Sequence, residues 1–157
     1  MLVNTTMAEL SDLTFRTAFI VYIVALILAF IYYGRVNSVI EARREALAEQ
    51  KVLVGAGGPE VVEKQKSDED MIANARKWAG MTQALVWVGV ALHLVAFVTR
   101  GLAAGRFPLG NLYEYILFMT AVIMVVAAVV IQRRNWHTVW PWLLFPMVIA
   151  MFLNSTV

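Results

Sequence analysis

The sequence predicts an all-α polytopic membrane protein: four transmembrane helices, with a cytoplasmic helical linker between the first and the second. Three observations predict it. The chain of 157 residues is 61% hydrophobic and only 15% charged, with a mean hydropathy of +0.69. Its charges are confined to short stretches between four uncharged runs, at residues 17–34, 78–99, 115–132 and 135–157. Each run reaches the roughly 18 apolar residues that a helix needs to cross a hydrocarbon core about 30 Å thick. No run shows the period-two alternation of a membrane barrel, so the backbone polar groups must pair within helical segments.

The basic residues set the sidedness. Arg35, Arg43, Arg44, Lys51, Lys64, Lys66, Arg76 and Lys77 lie between the first two runs, and Arg133 and Arg134 follow the third. Only Arg16, Arg100 and Arg106 fall on the other side, and ten against three is a positive-inside bias. The expected protein is multi-pass in a bacterial plasma membrane. Its N-terminus, the loop near residues 100–111 and the C-terminal end face outward, and residues 35–77 are cytoplasmic.

Residues 1–34 form the outward N-terminus and the first span. The segment before that span holds Glu9 and Asp12 but no Lys or Arg before Arg16. That is the reverse of a cleaved signal's basic region, and the span is expected to be retained. Asp12 and Arg16, four apart, can pair on the entering helix. In the linker, 35–77, the stretch 38–51 reads as a helix continuing from span one, and Gly55, Gly57, Gly58 and Pro59 stop it. Without a preceding strand or a following Gly-Lys-Ser/Thr, this turn reads as a hinge rather than a phosphate loop. A second helix is expected to start with Ser67 as N-cap and Asp70 three residues on.

Residues 78–157 contribute three further spans. Asn111 is placed to cap span three, with Glu114 returning a bond to the cap in an Asn-x-x-Glu variant of the capping box. Tyr113 and Tyr115 fit an interfacial aromatic belt, as do Trp136, Trp140 and Trp142 around His137 at the opposite boundary. Pro141 suits the start of span four, and Pro146 should kink its interior. No internal repeat is present.

Composition excludes several classes. A net charge of +2 with no basic, aromatic-interleaved patch gives no support for nucleic-acid binding. Zero cysteine excludes disulfides, thiolate metal sites and a cysteine nucleophile in this sequence. No Ser/His/Asp set, carboxylate pair or metal-spaced cluster is present, so no catalytic or metal-ligating residue is assigned. Two polar features within or beside the spans remain. His93 lies seven residues before Arg100, about 10 Å inside the boundary at about 1.5 Å per residue. Its imidazole can bond a neighbouring helix or bind haem iron. The rim near Arg100, Arg106 and Glu114 either is accounted for by helix capping or holds a ligand carboxylate.

The order His93, Arg100-Gly101-Leu102, Gly105-Arg106, Pro108, Asn111, Tyr113-Glu114 resembles the CcsA/ResC-type (also labelled CcsB) haem-handling membrane proteins of system II cytochrome c maturation. The Pro-x-x-Asn-x-Tyr-Glu core carries the resemblance. It extends more loosely over the linker and the Phe145-Pro146 to Leu153 run, covering most of this chain but about half of a typical member. The resemblance implies a protein that exports or presents haem, together with a partner synthase subunit bearing a large extracytoplasmic domain. Haem is then attached covalently to the Cys-x-x-Cys-His motif of an apocytochrome c. It implies haem as cofactor, His93 as a cofactor-binding candidate, and Arg100, Arg106, Pro108, Asn111, Tyr113 and Glu114 as rim residues. A plastid-type member would place the protein in the thylakoid membrane.

The family's iron-ligating loop, Trp-Gly-x-x-Trp-x-Trp-Asp between two histidines, is absent. Trp136, Trp140 and Trp142 reproduce its tryptophan spacing, yet His137 stands for its Gly, Leu143 for its Asp, and the charges put the segment inside. The loop is expected beyond Val157, with this sequence as a truncated or split product lacking synthase activity by itself. The alternative is a non-catalytic four-helix membrane subunit packing, through small residues such as those of 121–130, in a larger complex.

Overall fold

The computed structural model describes residues 4–52 and 61–156, the side chains of 49–68 excepted. The architecture is helical: α1 (Thr5–Val52), α2 (Val61–Ala104), α3 (Leu112–Arg134), a single 3-10 turn (His137–Val139) and α4 (Trp140–Thr156). Four helical segments are long and apolar enough to cross a membrane, and the chain is a membrane protein. No strand occurs among the described residues.

The first two helices are much longer than a bilayer requires. At about 1.5 Å per residue, the 48 residues of α1 run for about 72 Å, more than twice a hydrocarbon core about 30 Å thick. Past Gly34 the sequence turns to Ala, Glu, Arg and Leu without Gly or Pro, all strong helix formers, so the helix does not stop where the apolar run does. Helix α2 likewise runs unbroken through residue 77 into its span. The linker is therefore largely two helical extensions of spans one and two. The Gly55–Pro59 hinge lies outside the described residues. The Ser67 cap is corrected: α2 already begins at Val61, and Ser67 falls inside it. Helical turns on both sides of Ser67 engage its backbone, leaving no free end to cap.

Packing follows a seam that the composition conceals. Helix α1 buries Ser11, Phe15, Ala18, Tyr22, Ala25 and Ala29, at successive spacings of four and three. Helix α3 repeats the pattern with Leu117, Ala121, Met124, Ala128 and Ile131, and α4 with Trp140, Leu144, Met147, Met151 and Asn154. A repeat averaging 3.5 residues is the seam of a left-handed, nearly antiparallel bundle. Alanines dominate the α1 seam, which lets α2 approach closely. At Gly89 the approach is close: a Cβ there would sit 2.6 Å from Tyr22 Cε1.

Lipid tails are as apolar as Leu, so burial alone does not drive helices together in a bilayer; packing and interhelical hydrogen bonds do. Ser11 Oγ donates to Ala96 O on α2 (2.8 Å), joining the start of α1 to α2. Gln83 donates from Nε2 to Ala128 O on α3 (3.2 Å) and accepts at Oε1 from Trp140 Nε1 of α4 (3.1 Å), so one side chain ties three helices. Trp140 is therefore not an interfacial anchor: it is 0% exposed in the core. Its indole N–H is satisfied by Gln83, whereas Trp136 and Trp142 are exposed at that end. Trp140→Phe should lower stability by about 1 kcal/mol, read as a thermal midpoint in one detergent. Gln83→Leu in the same background should then add less than it does alone.

Candidate functional site

The N-terminus of α1, the C-terminus of α2, the N-terminus of α3 and the C-terminus of α4 meet at one end of the bundle. The 105–111 loop crosses that end. Helix α2 stops at Gly105, whose φ of 61° is the left-handed conformation in which a Cβ would be strained. Arg106 N donates to Gly101 O and Gly105 N to Leu102 O, both at 3.3 Å, the two bonds of a Schellman cap. The reversal lays Pro108 over Gly101, where a Cβ would come 3.1 Å from Pro108 Cδ. On the other flank Phe107 meets Phe97 and Phe118, with ring centroids 5.9 and 6.4 Å away, so the loop tip is pinned by aromatic packing.

Helix α3 begins as the sequence requires. Asn111 is extended (φ −143°, ψ 168°) and its side chain accepts from Glu114 N at 2.8 Å. The reciprocal bond differs from the expected capping box: Glu114 Oε2 accepts from Gly110 N at 2.8 Å, one residue before the cap. The carboxylate is drawn toward two arginines, and Gly110 is the residue beneath them. A Cβ on Gly110 would collide with the Arg106 guanidinium, so only glycine lets the cation settle there. Asn111→Ala should cost about 1 kcal/mol, seen as a lowered thermal midpoint, and Asn111→Asp should largely retain the cap.

Glu114 is the hub. It is 2% exposed although it stands in the first turn of a helix. Arg100 Nε approaches its Oε1 at 3.5 Å and Arg106 Nη1 its Oε2 at 3.2 Å, so each oxygen faces a different cation. The positive end of the α3 dipole favours the same carboxylate. Arg100 lies over the Tyr113 ring, 5.1 Å from its centroid, a cation–π contact that helps to hold the guanidinium in place. Tyr113 is thus half-buried beneath Arg100 and against Phe15 (5.8 Å between centroids), while Tyr115 is exposed as a boundary residue.

Beside this cluster lies a cleft of about 640 Å³, lined among others by Arg16, Phe19, Arg100, Leu112 and Asn154. The expected Asp12–Arg16 pair forms at 3.0 Å and belongs to the same lining. The structure therefore brings Arg100, Arg106, Pro108, Asn111, Tyr113 and Glu114 into one assembly. His93 is not part of it. Its ring is fully buried, with Nε2 at 3.2 Å from Leu117 O and 3.3 Å from Thr120 Oγ1, joining α2 to α3. Phe15 packs edge-on against both His93 and Tyr113, so the imidazole sits one aromatic layer below the cleft.

Sequence reading alone does not reveal Asn154 as a lining residue of this cleft or Gln83 as the node between three helices. Each is an amide beside hydroxyl residues within or at the end of an apolar run, Gln83 after Thr82 and Asn154 before Ser155 and Thr156, and the signal available was that position itself. No family model, curated protein or solved structure matches the chain.

Proposed function

We propose that this protein serves haem export or presentation and the covalent attachment of haem to apocytochrome c, as a scaffold in a cytochrome c synthase assembly of the CcsA/ResC type. The observation that supports this reading is the use made of the Pro-x-x-Asn-x-Tyr-Glu core. Asn111 caps, Glu114 gathers Arg100 and Arg106, Tyr113 supports Arg100, and Pro108 closes the loop on Gly101. Residues that share a sequence pattern also share one structural task, that of holding a charged loop rigid at one end of the bundle. In this reading that end faces outward, where apocytochrome and the partner subunit's extracytoplasmic domain would meet it, and residues 35–77 are cytoplasmic.

The residues present do not fit the metal of a haem group. The cleft is lined by no imidazole. His93, whose Nδ1 has no partner among the described residues, is 0% exposed. It is packed edge-on against Phe15 and Tyr22 with Nε2 turned to Leu117 and Thr120, so no open face of its ring is offered to iron. In this reading the chain's part is to position the rim. The reading is tested by disrupting the gene in its host and staining membranes for covalently bound haem. Loss of c-type cytochromes, restored by the intact gene, is the expected result; unchanged c-type cytochromes would refute the proposal.

A further inference from the structure

We infer that the cleft beside the Arg100–Glu114 cluster binds the headgroup of one anionic phospholipid. The inference rests on the cleft alone and stands or falls separately from the haem reading.

Charge is the first ground. Arg16, Arg100 and Arg106 face Asp12 and Glu114, and the pairs leave one positive charge in surplus. Arg100 supplies it at the cleft. Its Nε is turned to Glu114, while its two terminal nitrogens make no hydrogen bond among the described residues. The guanidinium is planar and lies over the Tyr113 ring, so those N–H groups form a fork suited to two oxygens of a phosphodiester.

The second ground is Asn154. Its side chain is 1% exposed and lines the cleft, yet neither its Oδ1 nor its Nδ2 has a hydrogen-bond partner. A buried amide without partners is costly, and more so near hydrocarbon, so this one calls for a ligand that offers both an acceptor and a donor. The ester carbonyls and hydroxyl of a glycerol-based headgroup provide them.

Shape and position supply the rest. Phe15, Phe19 and Leu112 give one stretch of the wall the apolar character an acyl chain requires, while Asn111 and Ser155 add polar groups for the headgroup. The cleft lies where α3 enters and α4 leaves its apolar run, the depth at which headgroups sit. Its volume of about 640 Å³ is in the range of small-molecule sites, roughly 300–1,000 Å³.

The test uses the full chain in nonionic detergent, with native mass spectrometry after adding phosphatidylglycerol or phosphatidylcholine. One phosphatidylglycerol should stay bound per chain, about tenfold in preference to phosphatidylcholine. Arg100→Gln and Asn154→Leu should each reduce that preference to about twofold or less. Should Arg100→Gln fail to fold, Arg16→Gln serves instead: this side chain is largely exposed, and its loss should weaken retention about threefold. Equal retention of both lipids, or a preference that survives Asn154→Leu and Arg16→Gln, would overturn the inference. So would inorganic phosphate raising the thermal midpoint as much as phosphatidylglycerol does, which would mark a free-anion site.

Discussion

Glu114→Ala should lower the stability of the bundle by about 3 kcal/mol and make the 105–111 loop a protease target. Three partners depend on this carboxylate: Arg100, Arg106 and the backbone N–H of Gly110. Removing it leaves two like charges side by side, one of them over an aromatic ring, and one orphaned donor at the helix entrance. The arginines are 33% and 49% exposed, so water relieves part of the repulsion, which places the cost at the low end for a broken buried pair. Glu114→Gln, which can still accept from Gly110, should cost about half as much. Thermal unfolding in a fixed detergent reads the stability, and limited proteolysis with mapping of the cut reads the loop. Equal midpoints for wild type and Glu114→Ala would show that the cluster contributes nothing to holding the loop.

The second large effect is expected at Gly89. Alanine is the better helix former by about 1 kcal/mol, so helix propensity alone forecasts stabilisation. The structure forecasts the opposite. The added Cβ would lie 2.6 Å from Tyr22 Cε1 and 3.0 Å from both Cδ1 and Cζ, a whole ring edge rather than a flexible tip. Tyr22 is fully buried between α1 and α2 and cannot swing away, so the helices must separate. Overpacking of this kind costs about 1–3 kcal/mol, and after the gain in helix propensity a net loss of up to about 2 kcal/mol is expected for Gly89→Ala. Tyr22→Leu should suppress that loss, so the double variant should be more stable than the sum of the single changes predicts. A stabilised Gly89→Ala would mean that α1 and α2 do not pack as closely as described.

The sequence made the four spans legible because each is a long uncharged run, and a bilayer leaves such runs no alternative to helix. It made the start of α3 legible because Asn111 and Glu114 sit at the spacing that capping needs. The seam was not legible. Apolar residues surround every span on all sides, so the four-and-three spacing of Ala18, Tyr22, Ala25 and Ala29 is hidden among equally apolar lipid-facing neighbours such as Ile20 and Ile27. Trp140 misled for the same reason: a tryptophan near a boundary is usually an anchor, and only the position of Gln83, 57 residues earlier, turns it inward. The start of α2 was misplaced because Ser67 and Asp70 mimic a cap within a stretch that α2 already occupies. Of the candidate site, the local pieces could be read. The convergence of Asp12 and Asn154 from the two extremes of the described chain could not, since it depends on how the helices are arranged around one another.

An outward-facing Arg100–Glu114–Arg106 loop is what a role in meeting apocytochrome requires. The sequence contains no cysteine, so single replacements report without background. Phe107→Cys, at an exposed loop position, and Glu45→Cys, at an exposed position on the extension of α1, should be treated in intact cells with a membrane-impermeant maleimide. Labelling of residue 107 in intact cells, with residue 45 labelled only after lysis, is the predicted result. Labelling of residue 45 in intact cells with residue 107 protected would contradict it.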